Sequence, residues 1–148
     1  MVALGNDHGG FKLKEEIKKY LDEVGIEYKD FGAYNEERTD YPIYAKKVAE
    51  AVSKSECDSG ILICRSGHGM VIVANKFKNV RAANVQSEEE VRKAKADDNI
   101  NILALGGDNI DINEAVRIIR TWIATEFKGG RYAERIHMIE SIEKENMK

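Results

Sequence analysis

The run SGILIC, residues 59–64, is apolar at consecutive positions rather than alternate ones, and a glycine-broken turn, RSGHG, follows at once. A strand of that kind is buried on both faces, which happens in a parallel sheet covered on each side by helices. NVRAANV and NINILALG read as two more such strands, VALG near Val2 as the first, and IEYKDFG as the second. Stretches of helical period lie between them. FKLKEEIKKYLDEVG repeats Phe11, Leu13, Ile17, Tyr20 and Leu21 on one face and stops at Gly25. YPIYAKKVAEAVSK carries Tyr44, Val48 and Val52 four apart, with Pro42 near its start, where a missing N–H costs a helix nothing. SEEEVRKAKADD opens with Ser87 and Glu90 in capping-box spacing. Strand and helix alternate, so the predicted fold is α/β, a doubly wound parallel sheet of about five strands.

After Gly106 the character changes. NEAVRIIRTWIATEF is one amphipathic helix, with Trp122 expected in the core, KGG breaks it, and RYAERIHMIESIEKENMK forms a last helix. Ile136, Ile139 and Ile142 share a stripe of that helix, which either covers the sheet or packs on a second subunit. His137 has no metal-spaced partner and is expected at the surface or an interface. Residues 1–148 have the size of one domain and contain no linker or repeat. The 23 basic and 26 acidic residues give a net charge of −3 without a basic stripe, which argues against nucleic acid and for a small-molecule partner. No apolar stretch is long enough for a membrane span, and no signal segment is apparent at Met1, so a soluble, cytoplasmic protein is expected. Cys57 and Cys64 match neither a disulfide framework nor a CxxC or zinc spacing. A redox role would need a resolving thiol, and Cys57 is predicted at the other end of the third strand from Cys64.

In open α/β sheets ligands bind beyond the carboxyl ends of the strands, where Cys64 is predicted to stand. Gly67 and Gly69 leave room for bare backbone to approach a ligand, and a helix is predicted to begin near Met70. Its first amides lack partners and favour negative charge, and Arg65 adds to that field if it points inward, which favours a thiolate. The competing reading is a small apolar cysteine closing a buried strand. Two familiar cysteine and phosphate loops do not fit: Met70 stands where a cysteine phosphatase needs arginine, and neither GNDHGG nor SGHGM supplies the Gly-Lys-Ser/Thr of a Walker loop. GNDHGGFKLK sets Asp7 and His8 at the end of the first strand. First and third strands can be neighbours in such a sheet, so this loop is predicted to face the cysteine turn, although an Asp-His pair also serves simply as turn and cap.

Taken in order, GNDHGGFKLK, DFGAYNEERTDYP, GILICRSGHGMVIVANKF, VRAA, NILALG and EFKGGRYAERI resemble the ribose-5-phosphate isomerase B and galactose-6-phosphate isomerase family from one end to the other. The resemblance implies a flavodoxin-like fold with a C-terminal interface helix. It also implies a homodimer or a homotetramer built from dimers, with sites at the subunit interface, and isomerisation of an aldose phosphate through a cis-enediolate without metal or cofactor. It further implies that Cys64 is the base, that Ser66 bonds the reacting oxygen, and that amides around Gly67 and Gly69 hold the oxyanion. Asp7, His8 and Tyr41 would hold the sugar, and Arg131 and Arg135, with His8, its phosphate. The chemistry agrees: removing a proton beside a carbonyl needs a base and a fixed dipole where charge grows. Arg131 and Arg135, four apart, share a helix face and can converge on a dianion.

The chain departs from the family pattern in four places, one of them a pair of residues. Arg65 replaces a glycine after the cysteine, His68 replaces an apolar residue between the glycines, and Asp97 and Asp98 replace a His-Asn pair whose histidine helps open the sugar ring. Asp108 stands where an arginine would meet phosphate. Asp97 can still act as a base toward a ring hydroxyl, and Asp98, Arg65 and His68 add donors or acceptors to the site. Two readings of the substrate remain open: Arg65 takes over the missing phosphate contact, or the substrate is a different sugar phosphate or a sugar acid bound the other way round. From another class, a sugar-phosphate-binding or partner subunit without turnover fits the loss of the ring-opening histidine, whereas the retained Cys64 speaks for an enzyme.

Overall fold

The computed structural model describes residues 1–147. Five strands, β1 (Val2–Asn6), β2 (Tyr28–Asp30), β3 (Ser59–Cys64), β4 (Ala82–Asn84) and β5 (Ile102–Gly106), form one parallel sheet in the order β2-β1-β3-β5-β4. Six α-helices accompany them: α1 (Phe11–Glu23), α2 (Tyr41–Ser53), α3 (His68–Ala74), α4 (Glu88–Asp98), α5 (Ile112–Ala124) and α6 (Arg131–Asn146). This is the expected α/β architecture. β2 and β4 are three residues each, shorter than the stretches read as strands, because they lie at the sheet edges and pair on one side only.

The two-residue period of the strands sorts their side chains onto two cores. Val2, Leu4, Ile61, Ile63, Leu103 and Leu105 face α1, α4 and α5, where Ile17, Val91, Ile118 and Trp122 meet them. Ala3, Leu62, Cys64, Ile102 and Ala104 face α2 and α3, against Val48, Ala49, Met70 and Ala74. Cys64 thus belongs to the α2–α3 face. Each fully buried Leu or Ile of these runs stabilises the fold by about 1.5–3 kcal/mol, which is why β3 and β5 stay in the middle of the sheet.

Helix ends follow their local chemistry. Ser87 Oγ accepts from the Glu90 amide at 3.1 Å, while the Glu90 carboxylate reaches the Gln86 amide at 3.0 Å, one residue further back than a standard capping box. Asp111 caps α5 by accepting from the Glu114 amide at 2.8 Å. Trp122 is buried, its Nε1 donating to the Ile100 carbonyl at 3.2 Å, as its place in the core requires. On α6 only Ile136 of the apolar stripe is buried. Ile139 and Ile142 are exposed, the latter at 56 %, and line an open groove with Val80, Ala83 and Ile100. Covering the sheet therefore accounts for one residue of that stripe. His137 is exposed, as expected. Among the described residues no helix is long and apolar enough to cross a membrane.

Candidate active site

The pairing of β1 with β3 brings two loops together at the carboxyl edge of the sheet. Asn6 is in register with Ile63, and the Asp7 amide donates to the Ile63 carbonyl at 3.2 Å. The chain then turns through a short 3-10 segment, His8–Gly10, which Asp7 caps with Oδ1 accepting from the Gly9 amide at 2.9 Å. Arg65 leans across this turn: a methyl group on Gly9 would meet Arg65 Cγ at 2.6 Å. The predicted juxtaposition of the Asp-His loop and the cysteine loop is present. Asp7 is 7 % exposed, and its capping bond occupies one carboxylate oxygen. His8 Nδ1 lies 3.2 Å from the amide nitrogen and 3.1 Å from the carbonyl oxygen of Thr39, which orients the ring.

Cys64 ends β3 and is 5 % exposed. Its sulfur accepts from the Gly67 amide at 3.0 Å, so the thiol closes the α2–α3 core and yet has a polar partner in the turn. Gly67 makes that bond at φ +87°, a left-handed conformation that side chains with a Cβ adopt rarely. α3 starts two residues earlier than predicted, at His68, and is seven residues long. Two of the amides expected to greet an anion are occupied. That of Gly67 serves Cys64, and that of His68 donates to Ser66 Oγ at 3.3 Å, leaving those of Gly69 and Met70 without an acceptor among the described residues. Tyr41, the first residue of α2, lays its ring directly over Gly69. From β5, the Gly107 amide holds the Cys64 carbonyl at 2.7 Å and the Asp108 amide holds that of Arg65 at 3.2 Å, so Asp108 does sit beside the cysteine loop.

The remaining expected site residues lie at the other edge. Asp97 and Asp98 end α4 just before β5 begins at Ile102, whereas Cys64 is in register with Gly106 at its far end. At ~3.3 Å per residue the two edges are roughly 13 Å apart. One chain therefore does not bring Asp97, Asp98, Arg131 and Arg135 to Cys64. Asp98 lines the groove beside α6, whereas Asp97, Arg131 and Arg135 meet around Lys128 and Tyr132. Lys128 donates its amide to the Ala96 carbonyl at 2.9 Å and places its ammonium 2.8 Å from Asp97. Lys128, Arg131 and Arg135 stand 4.8, 5.3 and 5.3 Å from the centre of the Tyr132 ring. The spacing argument for Arg131 and Arg135 holds, since they share one face. Hydrogen bonding from Arg131, and the Lys128 and Arg131 charges, push the Tyr132 phenol below its ordinary range. The result is a compact, exposed cationic surface.

Two contributors carry no motif. Asn84, at the end of β4, has its carboxamide nitrogen 3.0 Å from the Ser66 carbonyl and 3.0 Å from His68 Nδ1, and only the placement of β4 beside β5 reveals this. Lys128 precedes a GG break that reads only as the end of a helix. Two hollows of the single chain lie along α6 and at the amino edge of the sheet, and Cys64 lines neither. Cys57 precedes β3 and both thiols are free, so the two cysteines stand at opposite ends of one strand. No group of three or more His, Cys, Asp or Glu that could hold a metal ion occurs among the described residues.

Comparison with known proteins agrees with this architecture. The family model for Ribose/Galactose Isomerase matches residues 2–139. The chain is 41 % identical to Ribose-5-phosphate isomerase B of Escherichia coli (strain K12), over 96 % of this chain and 95 % of that protein. The structure of ribose-5-phosphate isomerase B from Clostridium thermocellum superimposes with a TM-score of 0.95 at 44 % identity, covering 97 % of each chain. That of the Mycoplasma genitalium enzyme with bound ribulose-5-phosphate gives 0.93 at 36 % identity, over 98 % of this chain and 97 % of that one. Similarity of this strength extends over nearly the whole chain, and the chain belongs to the ribose/galactose isomerase family.

Proposed function

We propose that this isomerase interconverts ribose 5-phosphate and ribulose 5-phosphate through a cis-enediolate, with Cys64 as the base. The observation that carries the reading is the Cys64 sulfur at the carboxyl end of β3, 3.0 Å from a main-chain amide, in a loop whose Arg65 lies over the Asp7–Gly9 turn. Relatives named as ribose-5-phosphate isomerase B, one solved with ribulose-5-phosphate, support the substrate. A thiolate takes the C2 proton, the free amides of Gly69 and Met70 and the Ser66 hydroxyl meet the charge growing on oxygen, and the proton returns to C1. Asp7, His8 and Tyr41 hold the sugar. The protein works in the cytoplasm, in pentose phosphate metabolism, as a dimer or a pair of dimers. A second copy supplies Asp97, Asp98, Arg131 and Arg135, so that its cationic surface receives the phosphate. Arg65, exposed and leaning over Gly9, supplies a positive charge on the side where Asp108 withholds one.

Asp97, paired with Lys128 at 2.8 Å, favours a second reading in which the substrate needs no ring opening by a histidine, as for a different sugar phosphate or a sugar acid. Deuterium exchange from C2 in heavy water, measured over a panel of aldose phosphates, separates the two. Ribose 5-phosphate is expected to exchange fastest, and Cys64→Ala to lower kcat by about 10²–10⁴-fold. Exchange that persists at full rate in Cys64→Ala removes the cysteine from the mechanism, and a protein that binds sugar phosphates without any exchange is the non-catalytic partner subunit. Arg65→Gly is expected to raise KM for the phosphorylated substrate, and an unchanged KM takes Arg65 out of the phosphate site.

A further inference from the structure

Asn84 turns its carboxamide back over the cysteine loop. The nitrogen, 3.0 Å from the Ser66 carbonyl oxygen, is identified by that contact, because a carbonyl only accepts and the opposite orientation would set two oxygens against each other. The same NH2 group directs its second hydrogen to His68 Nδ1, also at 3.0 Å. Nδ1 is then an acceptor, and the ring proton sits on Nε2. This orientation leaves Asn84 Oδ1 buried without a partner, at a position 2.7 Å from where a Cβ on Gly67 would stand. Such an orphan is unfavourable, so the orientation is held by the two bonds at the nitrogen end. His68 itself is exposed at the carboxyl edge, next to the glycine whose amide holds the Cys64 sulfur.

We propose that His68, locked by Asn84 as its Nε2–H tautomer, is a neutral hydrogen-bond donor to the oxygen that becomes negative when the substrate at Cys64 enolises. The inference rests on reading the Cys64 loop as the isomerase centre. In the step concerned, the C2–H bond breaks toward the thiolate, its electron pair forms the C1–C2 double bond, and the carbonyl pair withdraws onto O1. The imidazole keeps its proton and presents only the N–H dipole to O1, as a neutral electrophile. The thiol then returns the proton to C1 while the O2 hydroxyl proton passes to O1, so nothing is oxidised or reduced overall. Asn84 touches no reacting atom and acts as a positioning residue.

Nitrogen-15 NMR of the resting protein reads the tautomer directly. His68 is expected with Nε2 protonated, and Asn84→Asp, whose carboxylate accepts where the amide donated, is expected to move the proton to Nδ1. In steady-state kinetics His68→Val is expected to lose about 10²-fold in kcat, the worth of one oxyanion donor, with KM nearly unchanged. His68→Gln, which keeps an N–H on a side chain of similar reach, recovers part of that loss, and Asn84→Asp loses kcat in parallel with His68→Val. Wild-type His68 protonated at Nδ1, or a kcat that His68→Val leaves intact while the wild type turns over, overturns the proposal. Absence of C2 exchange in the wild type overturns the isomerase reading, and this role with it.

Discussion

Tyr41 lies so close over Gly69 that no side chain fits between ring and turn. A methyl group there forces the ring aside, and with it the sugar contact proposed for Tyr41. Gly69→Ala is accordingly expected to raise KM at least about tenfold, the equivalent of ~1.4 kcal/mol of binding, with little change in thermal stability, since Tyr41 is largely at the surface. An unaltered KM would show that Tyr41 holds nothing. At this scale the glycines of RSGHG were legible as places of close approach, as were the thiol at a strand end and the Asp-His pair before a helix. Of their neighbours, Tyr41 was named through the resemblance alone and Asn84 not at all, because both arrive from segments 15 or more residues away from the turn they cover. Asp7 caps a turn and also lies beside the cysteine loop, so the cap and the predicted juxtaposition occur together.

Helix α1 is tied to strand β2 by a buried ion pair. Lys14 is fully buried, with its ammonium 2.8 Å from Asp30 Oδ1 and also bonded to the Ala33 carbonyl, while Lys18 reaches the other Asp30 oxygen at 3.1 Å. Burial pushes the Asp30 carboxyl up, but the bonds from Lys14, the Gly32 amide and Lys18 outweigh it and hold it below the usual carboxylate range. Burial, with a smaller push from the neighbouring Lys18 charge, lowers the Lys14 ammonium against the pull of Asp30. Because the Asp30 value is depressed on folding, its contribution is present above the ordinary carboxylate value of ~3.9 and is lost as pH falls through the lowered folded value. Asp30→Asn, which leaves a buried ammonium unpaired, is expected to cost about 3–5 kcal/mol at neutral pH. Urea unfolding at pH 7 and at pH 3 checks this, since the gap between wild type and variant should narrow in acid, and a gap independent of pH would refute the assignment. The helical pattern announced α1 from its apolar face but said nothing of Lys14, a residue type almost never fully buried without a partner.

The expected site residues divide between the two edges of the sheet, and the division has a consequence for the whole molecule. If Cys64 of one copy works with Arg131 and Arg135 of another, variants damaged in different halves restore each other. Mixing Cys64→Ala with the double variant Arg131→Ala, Arg135→Ala, each inactive alone, makes half of all dimers hybrids with one intact site apiece, so about a quarter of wild-type activity should return. Activity that stays at the sum of the separate variants would place both halves of the site in a single chain. The exposed Ile139 and Ile142, unburied within one chain, are where a second copy would gain apolar area.

By itself the sequence determined the parallel α/β sheet, because consecutive apolar residues can be buried only between two layers of helices, and it marked Cys64, Ser66, Gly67 and Gly69 as a loop at a strand end. Resemblance along the whole chain determined the family. Only the tertiary structure decided that Cys64 is nearly sealed yet polar-bonded, that Asn84 orients His68, and that Asp97, Arg131 and Arg135 gather around Lys128 and Tyr132, about one strand length from the thiol. The reason is the range of the forces concerned. Periodicity and capping act over a few neighbouring residues and can be read along the chain, whereas a hydrogen bond between a loop and a distant strand exists only once strand order has been chosen by burial.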